Sequence, residues 1–244
     1  MNIIVLSYNI EGLTLEANFC QDQSLAKYII SKSEYLNKYL PSLCADIICI
    51  QEYSPILCLK FENYANVIVG RNAIYYKRDK FSYISHESGN LFGLIVSLNI
   101  TNINLLLNIG SNRLLPYAIN MEHRASSMAS TDLLAKNKLT IFALDTNMKK
   151  AEEKLLTNLT DCYLNASITN NYYTHDKKNN PYFVGDDKKI TRTRYDKIFC
   201  SRSFDCQIFN VIIPKNDPKL IHALYPYGGI SDHYPVMATL TFND

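Results

Sequence analysis

The 244-residue chain has no tryptophan, no CxxC pair among its seven cysteines, no linker rich in proline, glycine or serine, and no long apolar run. Each absence excludes something. No stretch approaches the ~20 apolar residues that a membrane-spanning helix needs, so no membrane association is expected. Met1–Tyr8 is apolar but carries no basic leader and no cleavage signal, and it gives way to polar Asn9, so no signal peptide is expected. The cysteines, at 20, 44, 49, 58, 162, 200 and 206, are odd in number. They suggest neither a disulfide framework nor a zinc site but reduced thiols in an intracellular compartment, cytoplasmic, nuclear or both. In that setting the sequons at Asn99, Asn158 and Asn165 carry little weight.

Charge of one sign is also missing. A net charge of +2 does not by itself argue for nucleic-acid binding. The one basic cluster, Lys188, Lys189, Arg192, Arg194 and Lys197, is diluted by Asp186 and Asp187. It reads equally as a solvated face or as a phosphate-steering surface. With no linker and no internal repeat, residues 1–244 are expected to form a single domain, large enough to bury a core without disulfides. The frequent tyrosine, asparagine, isoleucine and lysine are the residue usage of an AT-rich genome, such as that of a large DNA virus or a protist. They do not speak to function.

Apolar patterning predicts many strands and a few helices. Residues 2–8 form an apolar run of strand length. Over 24–40, Leu25, Ile29, Leu36 and Leu40 fall at helical spacing, and Pro41 is expected to close that helix. Strands are expected at Ala45–Ile50, Ala73–Lys77, Leu139–Leu144, Tyr195–Cys200, Gln207–Ile213 and Tyr234–Thr241, with a hairpin of Leu94–Leu98 and Ile103–Asn108. Arg124–Lys136 and 148–157 read as helical and 170–192 as a long polar loop. The sequential hairpin argues against a purely parallel sheet and for an α+β fold.

The informative residues stand where strand gives way to loop. Asn9 follows the first strand, Glu52 the next buried one and Asp145 a third, while Asp232-His233 precede the last. A single strand-end carboxylate is ordinarily a turn or cap residue, and a lone histidine is ordinarily structural. The ordered set carries the argument. If these strands lie side by side, three carboxylates and a histidine converge on one edge. Clustered carboxylates repel unless a cation lies among them, and hard oxygen ligands suit Mg²⁺, or Mn²⁺, better than Zn²⁺. Such a site can polarise a phosphodiester and stabilise the charge that develops on it.

In order, the chain carries LSYNIEGL (6–13), ADIICIQE (45–52), NAIYYKRDKF (72–81), LDTN (144–147), RYDKIF (194–199) and SDHYPV (231–236). Together these resemble the endonuclease/exonuclease/phosphatase superfamily across essentially the whole chain. Asn9-Ile10-Glu11-Gly12-Leu13, Asp145-Thr146-Asn147, Tyr173-Thr174-His175-Asp176 and Arg194-Tyr195-Asp196 are most similar to its tyrosyl-DNA phosphodiesterase 2 branch. The resemblance implies a four-layer α/β/β/α sandwich of two mixed sheets with the site at one rim. It implies that Glu52 binds the metal with Asp232 and Asn9 nearby. Asp145 would orient or activate water, Asn147 would hold the phosphate, His233 would bond a phosphate oxygen, and Asp196 would support from behind. It further implies that His175 contacts a base.

One departure stands out. The superfamily's N-x-H-x-x-S segment aligns with Asn108–Arg113, which puts Gly110 in the histidine's place. Arg113, or His123 and Arg124, would then compensate, and Arg113, Arg124 and Arg194 are expected to bind substrate. Leu144 also replaces a glycine of the superfamily, a steric change. The expected activity is Mg²⁺-dependent phosphodiester hydrolysis on nucleic acid, foremost removal of 5′-tyrosyl adducts from DNA, with no obligate protein partner. The alternatives are an abasic-site or general endonuclease, an RNA exonuclease, a lipid or inositol phosphodiesterase, and a catalytically weak binding module motivated by Gly110.

Overall fold

A computed structural model of the chain describes residues 1–153, 156–183, 191–215, 217–222 and 229–242. Asp186, Asp187, Lys188 and Lys189 lie outside the described residues. The first half runs β1 (Asn2–Asn9), α1 (Gly12–Gln21), α2 (Ala26–Ser42), β2 (Ile47–Gln51), β3 (Tyr64–Val69), β4 (Asn72–Lys77), β5 (Phe81–Gly89), β6 (Gly93–Ile100) and β7 (Leu105–Arg113). The second half runs α3 (Met121–Leu134), β8 (Thr140–Asp145), β9 (Leu159–Asp161), α4 (Cys162–Asn165), β10 (Ile168–Thr169), β11 (His175–Asp176) and β12 (Arg192–Thr193). It closes with β13 (Asp196–Ser201), β14 (Phe204–Val211) and β15 (Val236–Phe242).

The strands form two large mixed sheets. One has the order β10-β14-β15-β1-β2-β4-β3 and the other β5-β6-β7-β8-β13-β9. In the first, β1 is parallel to β2 and antiparallel to β15; in the second, β7 is parallel to β8 and antiparallel to β6. Strand alternation sorts the side chains into layers. Ile3 and Val5 of β1 cluster with Ile109 of β7, Ile141 and Ala143 of β8, and Ile198 of β13, which fills the space between the sheets. The opposite parity, Leu6 and Tyr8, packs on Tyr28, Ile29, Leu36 and Leu40 of α2. On the far side of the second sheet, Phe142, Leu144 and Phe199 pack on Met128 of α3. The expected α+β sandwich of two mixed sheets with helices outside is therefore observed. Among the described residues no helix is long and apolar enough to cross a membrane.

Several local expectations change. The first strand and the hairpin are longer than expected, and α2 runs to Ser42, one residue past Pro41. Among the described residues of the expected helix over 148–157 there is a single 3₁₀ turn, Lys150–Glu152, after which Glu153 is extended. Glu152 is drawn off by Arg124, whose Nε and Nη2 both donate to its Oε2. Within 170–192, β11 and β12 pair antiparallel. Helix α1 follows a left-handed Glu11 and has no side-chain cap, so it lacks the usual start signal. Strand β5, at a sheet edge, is exposed on both faces along most of its length and shows no alternation to read.

Candidate active site

The site lies on one rim, where β1, β2, β7 and β8 end and antiparallel β13 begins. The registers Asn9↔Gln51, Arg113↔Asp145 and Asp196↔Asp145 align these ends. Asn9 shares its strand face with Val5 and Ser7, Asp145 with Ala143, and Asp196 with Ile198, so all three point from the inter-sheet layer toward the rim. The sheets are tied just beneath. Gln51 Nε2 donates to Ser7 Oγ (3.1 Å), Ser111 Oγ (3.2 Å) and the Ala143 carbonyl (3.0 Å), joining β1 and β2 to β7 and β8.

Asn9 links two of the carboxylates. Its Nδ2 donates to Glu52 Oε1 and to Asp145 Oδ2, each at 2.9 Å. Its Oδ1 accepts the Glu11 backbone N–H at 2.9 Å, which fixes the amide's orientation. Glu52 follows β2 in the left-handed region (φ 53), and the chain passes so close to Gly12 that any side chain there would strike the Glu52 carbonyl. Asn147, also left-handed (φ 48), donates from Nδ2 to the Leu114 carbonyl (2.9 Å) and Asp145 Oδ2 (3.1 Å), and its N–H donates to Asp145 Oδ1 (3.1 Å). Both Asn147 amide hydrogens are thus engaged. Asn147 holds Asp145, and the structure shows no free Asn147 donor aimed at a phosphate.

Burial pushes the Asp145 carboxyl above the ordinary carboxylate range. His233 opposes this, Asp196 adds to it and Arg113 opposes it. His233 Nδ1 donates to Asp196 Oδ2 at 2.7 Å. Burial alone would depress His233, but Asp196, Asp232 and Asp145 together hold it well above its usual value. Its Nε2 lies 3.9 Å from Asp232 Oδ2, and Asp232 is part-exposed at the lip. Asp145, Asp196 and His233 bring potential ligand atoms within 4.8 Å of one another. Because His233 and Asp196 already satisfy each other, this trio reads better as a carboxylate-histidine pair set against a second acid than as a cation cage. Glu52, buried beside Asn9, and Asp232, part-exposed at the lip, carry hard oxygen donors of the kind that suits a divalent cation of the Mg²⁺ type.

The expected substrate contacts divide. Arg113 reaches the site, with its Nε 2.6 Å from Glu52 Oε1 and 3.7 Å from Asp145 Oδ2. Arg124 does not. It is buried and its Nη1 donates to the Leu115 (2.9 Å) and Tyr117 (2.7 Å) carbonyls while Glu152 takes its other side. Arg194 is likewise turned inward, donating from Nη1 and Nη2 to Asp161 (2.9 and 2.6 Å) between Tyr163 and Tyr172. Both arginines hold the structure together. The His175 ring, only partly exposed, meets Phe183, Tyr195 and His233 edge-on or tilted, with centroids at 4.9, 5.3 and 5.4 Å. Burial, reinforced by His233, lowers its pKa to about 4, and its Nε2 is 4.0 Å from Asp232 Oδ2.

Gly110 is not the gap the alignment implied. It pairs with Phe142, and a Cβ there would run into the Phe142 ring. Its parity faces α3, away from the rim, whereas Ile109, Ser111 and Arg113 share the inter-sheet face. The side chain that β7 delivers to the carboxylates is therefore Arg113. Residues not singled out from sequence complete the frame. Ser231 Oγ donates to the Asn9 carbonyl (2.7 Å), Asn180 Nδ2 to the Ser231 carbonyl (3.0 Å), and Thr174 Oγ1 accepts the Asp196 N–H (3.0 Å). Ser231 and Thr174 stood inside recognisable motifs; nothing in the sequence marked Asn180.

No protein-family model and no curated protein sequence matches the chain. Solved structures do. A truncated TDP2 from Caenorhabditis elegans has a TM-score of 0.74 at 18% identity, covering 100% of this chain and 98% of that one. D. rerio TDP2 complexed with single-strand DNA product has a TM-score of 0.71 at 19% identity, covering 98% and 99%. A mannosyl-6-phosphatase from Bacteroides thetaiotaomicron has a TM-score of 0.69 at 17% identity, covering 98% and 100%. Over its whole length the chain has the fold of endonuclease/exonuclease/phosphatase proteins, with TDP2 structures among those it resembles.

Proposed function

We propose that this protein is a Mg²⁺-dependent phosphodiesterase acting on nucleic acid, with 5′-tyrosyl-DNA adducts as its foremost substrate. One observation carries the reading: Asn9, Glu52, Asp145, Asn147, Asp196, Asp232 and His233, spread over the chain, converge on a single rim, where hydrogen bonds tie Asn9 to Glu52 and Asp145, Asn147 to Asp145, and His233 to Asp196. The TDP2 likeness supports the choice of nucleic acid, and the motifs shared with that branch support the 5′ adduct.

Glu52 and Asp232 are the residues that would hold the cation, with Mn²⁺ a substitute. When bound, the cation supplies positive charge against the phosphate oxygens. The chain's own groups do the rest. Asp145, buried and held by Asn9 and Asn147, is the acceptor that orients an attacking water and takes its proton. His233, cationic because of Asp196 and its acidic neighbours, donates from Nε2 to a phosphate oxygen as charge builds there. Arg113 approaches from β7 and offers its guanidinium to the same group. The binding-module alternative loses its motivation once Gly110 is seen to face α3.

The test is release of tyrosine from a 5′-phosphotyrosyl oligonucleotide, with Mg²⁺ and with chelator. The panel adds an abasic-site duplex, an RNA oligonucleotide, a lipid or inositol phosphodiester, and a sugar phosphate suggested by the phosphatase neighbour. Mg²⁺-dependent cleavage of the adduct supports the proposal. Equal rates for the wild type and a Glu52→Gln/His233→Ala double variant would sink it. Faster turnover of another panel member would reassign the substrate.

A further inference from the structure

Lys32, on α2, is fully buried, and among the described residues its ammonium makes no hydrogen bond. Lysines are almost never buried unpaired. The group facing it is Glu11, whose Oε2 lies 3.8 Å from Lys32 Nζ and is itself buried without a hydrogen bond. Burial works against both charges of the pair, pushing the Glu11 carboxyl up to about 8 and lowering Lys32; each partner opposes that shift in the other, and Asp232 and Glu52 add to the negative field that favours the Lys32 ammonium. The Tyr28 ring, 6.0 Å from Nζ, closes the other side.

The pair connects to the rim by a short route. Glu11 is left-handed (φ 55), its Oε1 accepts from the Tyr182 hydroxyl, and its backbone N–H fixes the Asn9 amide that bridges Glu52 and Asp145. Two basic side chains therefore stand at this acidic cluster, Arg113 against Glu52 and Asp145 and Lys32 against Glu11. Arg113, part-exposed, can leave them when a substrate arrives; Lys32, enclosed under the rim, is the cation that stays.

We propose that Lys32 is a positioning residue and built-in counter-cation. It holds Glu11, and through it the Asn9 amide, while its charge sets how tightly Glu52 and Asp232 hold a divalent cation. This rests on the metal-dependent reading above. A fixed positive charge beside a cation site keeps the acids together when the site is bare and weakens their grip on the cation.

Mg²⁺ binding by calorimetry and Tm with and without Mg²⁺ test this on the whole protein, in the wild type, Lys32→Met, Glu11→Gln and the double variant. Lys32→Met is expected to bind Mg²⁺ about tenfold tighter and to gain more Tm from Mg²⁺ than the wild type. Glu11→Gln is expected to bind more weakly by a similar factor, and the double variant to return close to the wild type. A purely structural lysine would loosen binding when removed, so unchanged or weaker binding by Lys32→Met overturns the proposal. If Lys32→Met does not fold, the same step is read by comparing Glu11→Gln with the double variant, in which neither buried charge remains. Equal Mg²⁺ affinity for Glu11→Gln and the double variant overturns the proposal there. A wild type that takes up no Mg²⁺ overturns the metal-dependent reading itself, a distinct result.

Discussion

Arg113 and Glu52, from different sheets, meet across the rim at 2.6 Å, because the parallel register of β7 on β8 sets Arg113 opposite Asp145. The contact lacks the alignment of a hydrogen bond. It is a charge contact that a phosphate can displace. Arg113→Ala is therefore expected to lower kcat/KM about 10²-fold on a phosphodiester substrate. Arg113→Lys should recover part of this, since the charge remains but the planar donor fork is lost. Steady-state kinetics on the 5′-phosphotyrosyl oligonucleotide measure it, and wild-type kcat/KM in Arg113→Ala would remove Arg113 from the site.

The His233–Asp196 pair predicts a pH dependence. Burial opposes the His233 charge, but Asp196, Asp232 and Asp145 outweigh it and raise the folded pKa well above the unfolded value of about 6.5. The folded state therefore holds this proton where the unfolded state has lost it. The stabilisation is complete below about pH 6.5 and is lost as pH rises through the folded pKa. Asp196→Asn removes the nearest acceptor. The alkaline limb of the kcat profile and of the Tm profile should both move to lower pH, and superimposable profiles would count against the pairing.

Restoring a histidine at position 110 should harm the protein. Its Cβ would lie inside the Phe142 ring, and its imidazole would face α3. Overpacking of this kind typically costs about 1–3 kcal/mol, and a ring this close places Gly110→His at or above the top of that range. Thermal denaturation should show a large fall in Tm with no gain in kcat. A stable and more active Gly110→His would contradict the register.

Strands buried on both faces read as continuous apolar runs, so β1, β2 and β8 and the polar residues ending them were visible. Face was not visible. An ungapped alignment over Asn108–Arg113 cannot show that positions 110 and 113 point to opposite sides of β7. Partnership across the chain was hidden too. Arg124 and Arg194 look like phosphate ligands until Glu152 and Asp161, remote in sequence, are seen to hold them. Lys32 lies in a stretch of mixed polar residues, Ser31-Lys32-Ser33-Glu34, that reads as a solvated helix face. Only the packing of α2 under the rim reveals it as buried.

Gln51 carries a last prediction, because it decides how the two halves of the site are spaced. Its amide is the polar tie between the sheets just under Asn9 and Asp145, with three acceptors within 3.2 Å. Gln51→Leu would keep the bulk but strand the Ser7 and Ser111 hydroxyls and the Ala143 carbonyl in an apolar layer. Leaving buried groups unpaired costs roughly 1–3 kcal/mol, measurable by chemical denaturation. Adding Ser7→Ala and Ser111→Ala should recover most of that stability, because two of the stranded groups then disappear. Activity should not return in step, since the tie that fixes the Asn9–Asp145 spacing is still gone. A triple variant with wild-type kcat would show that apolar packing alone sets the spacing of the rim.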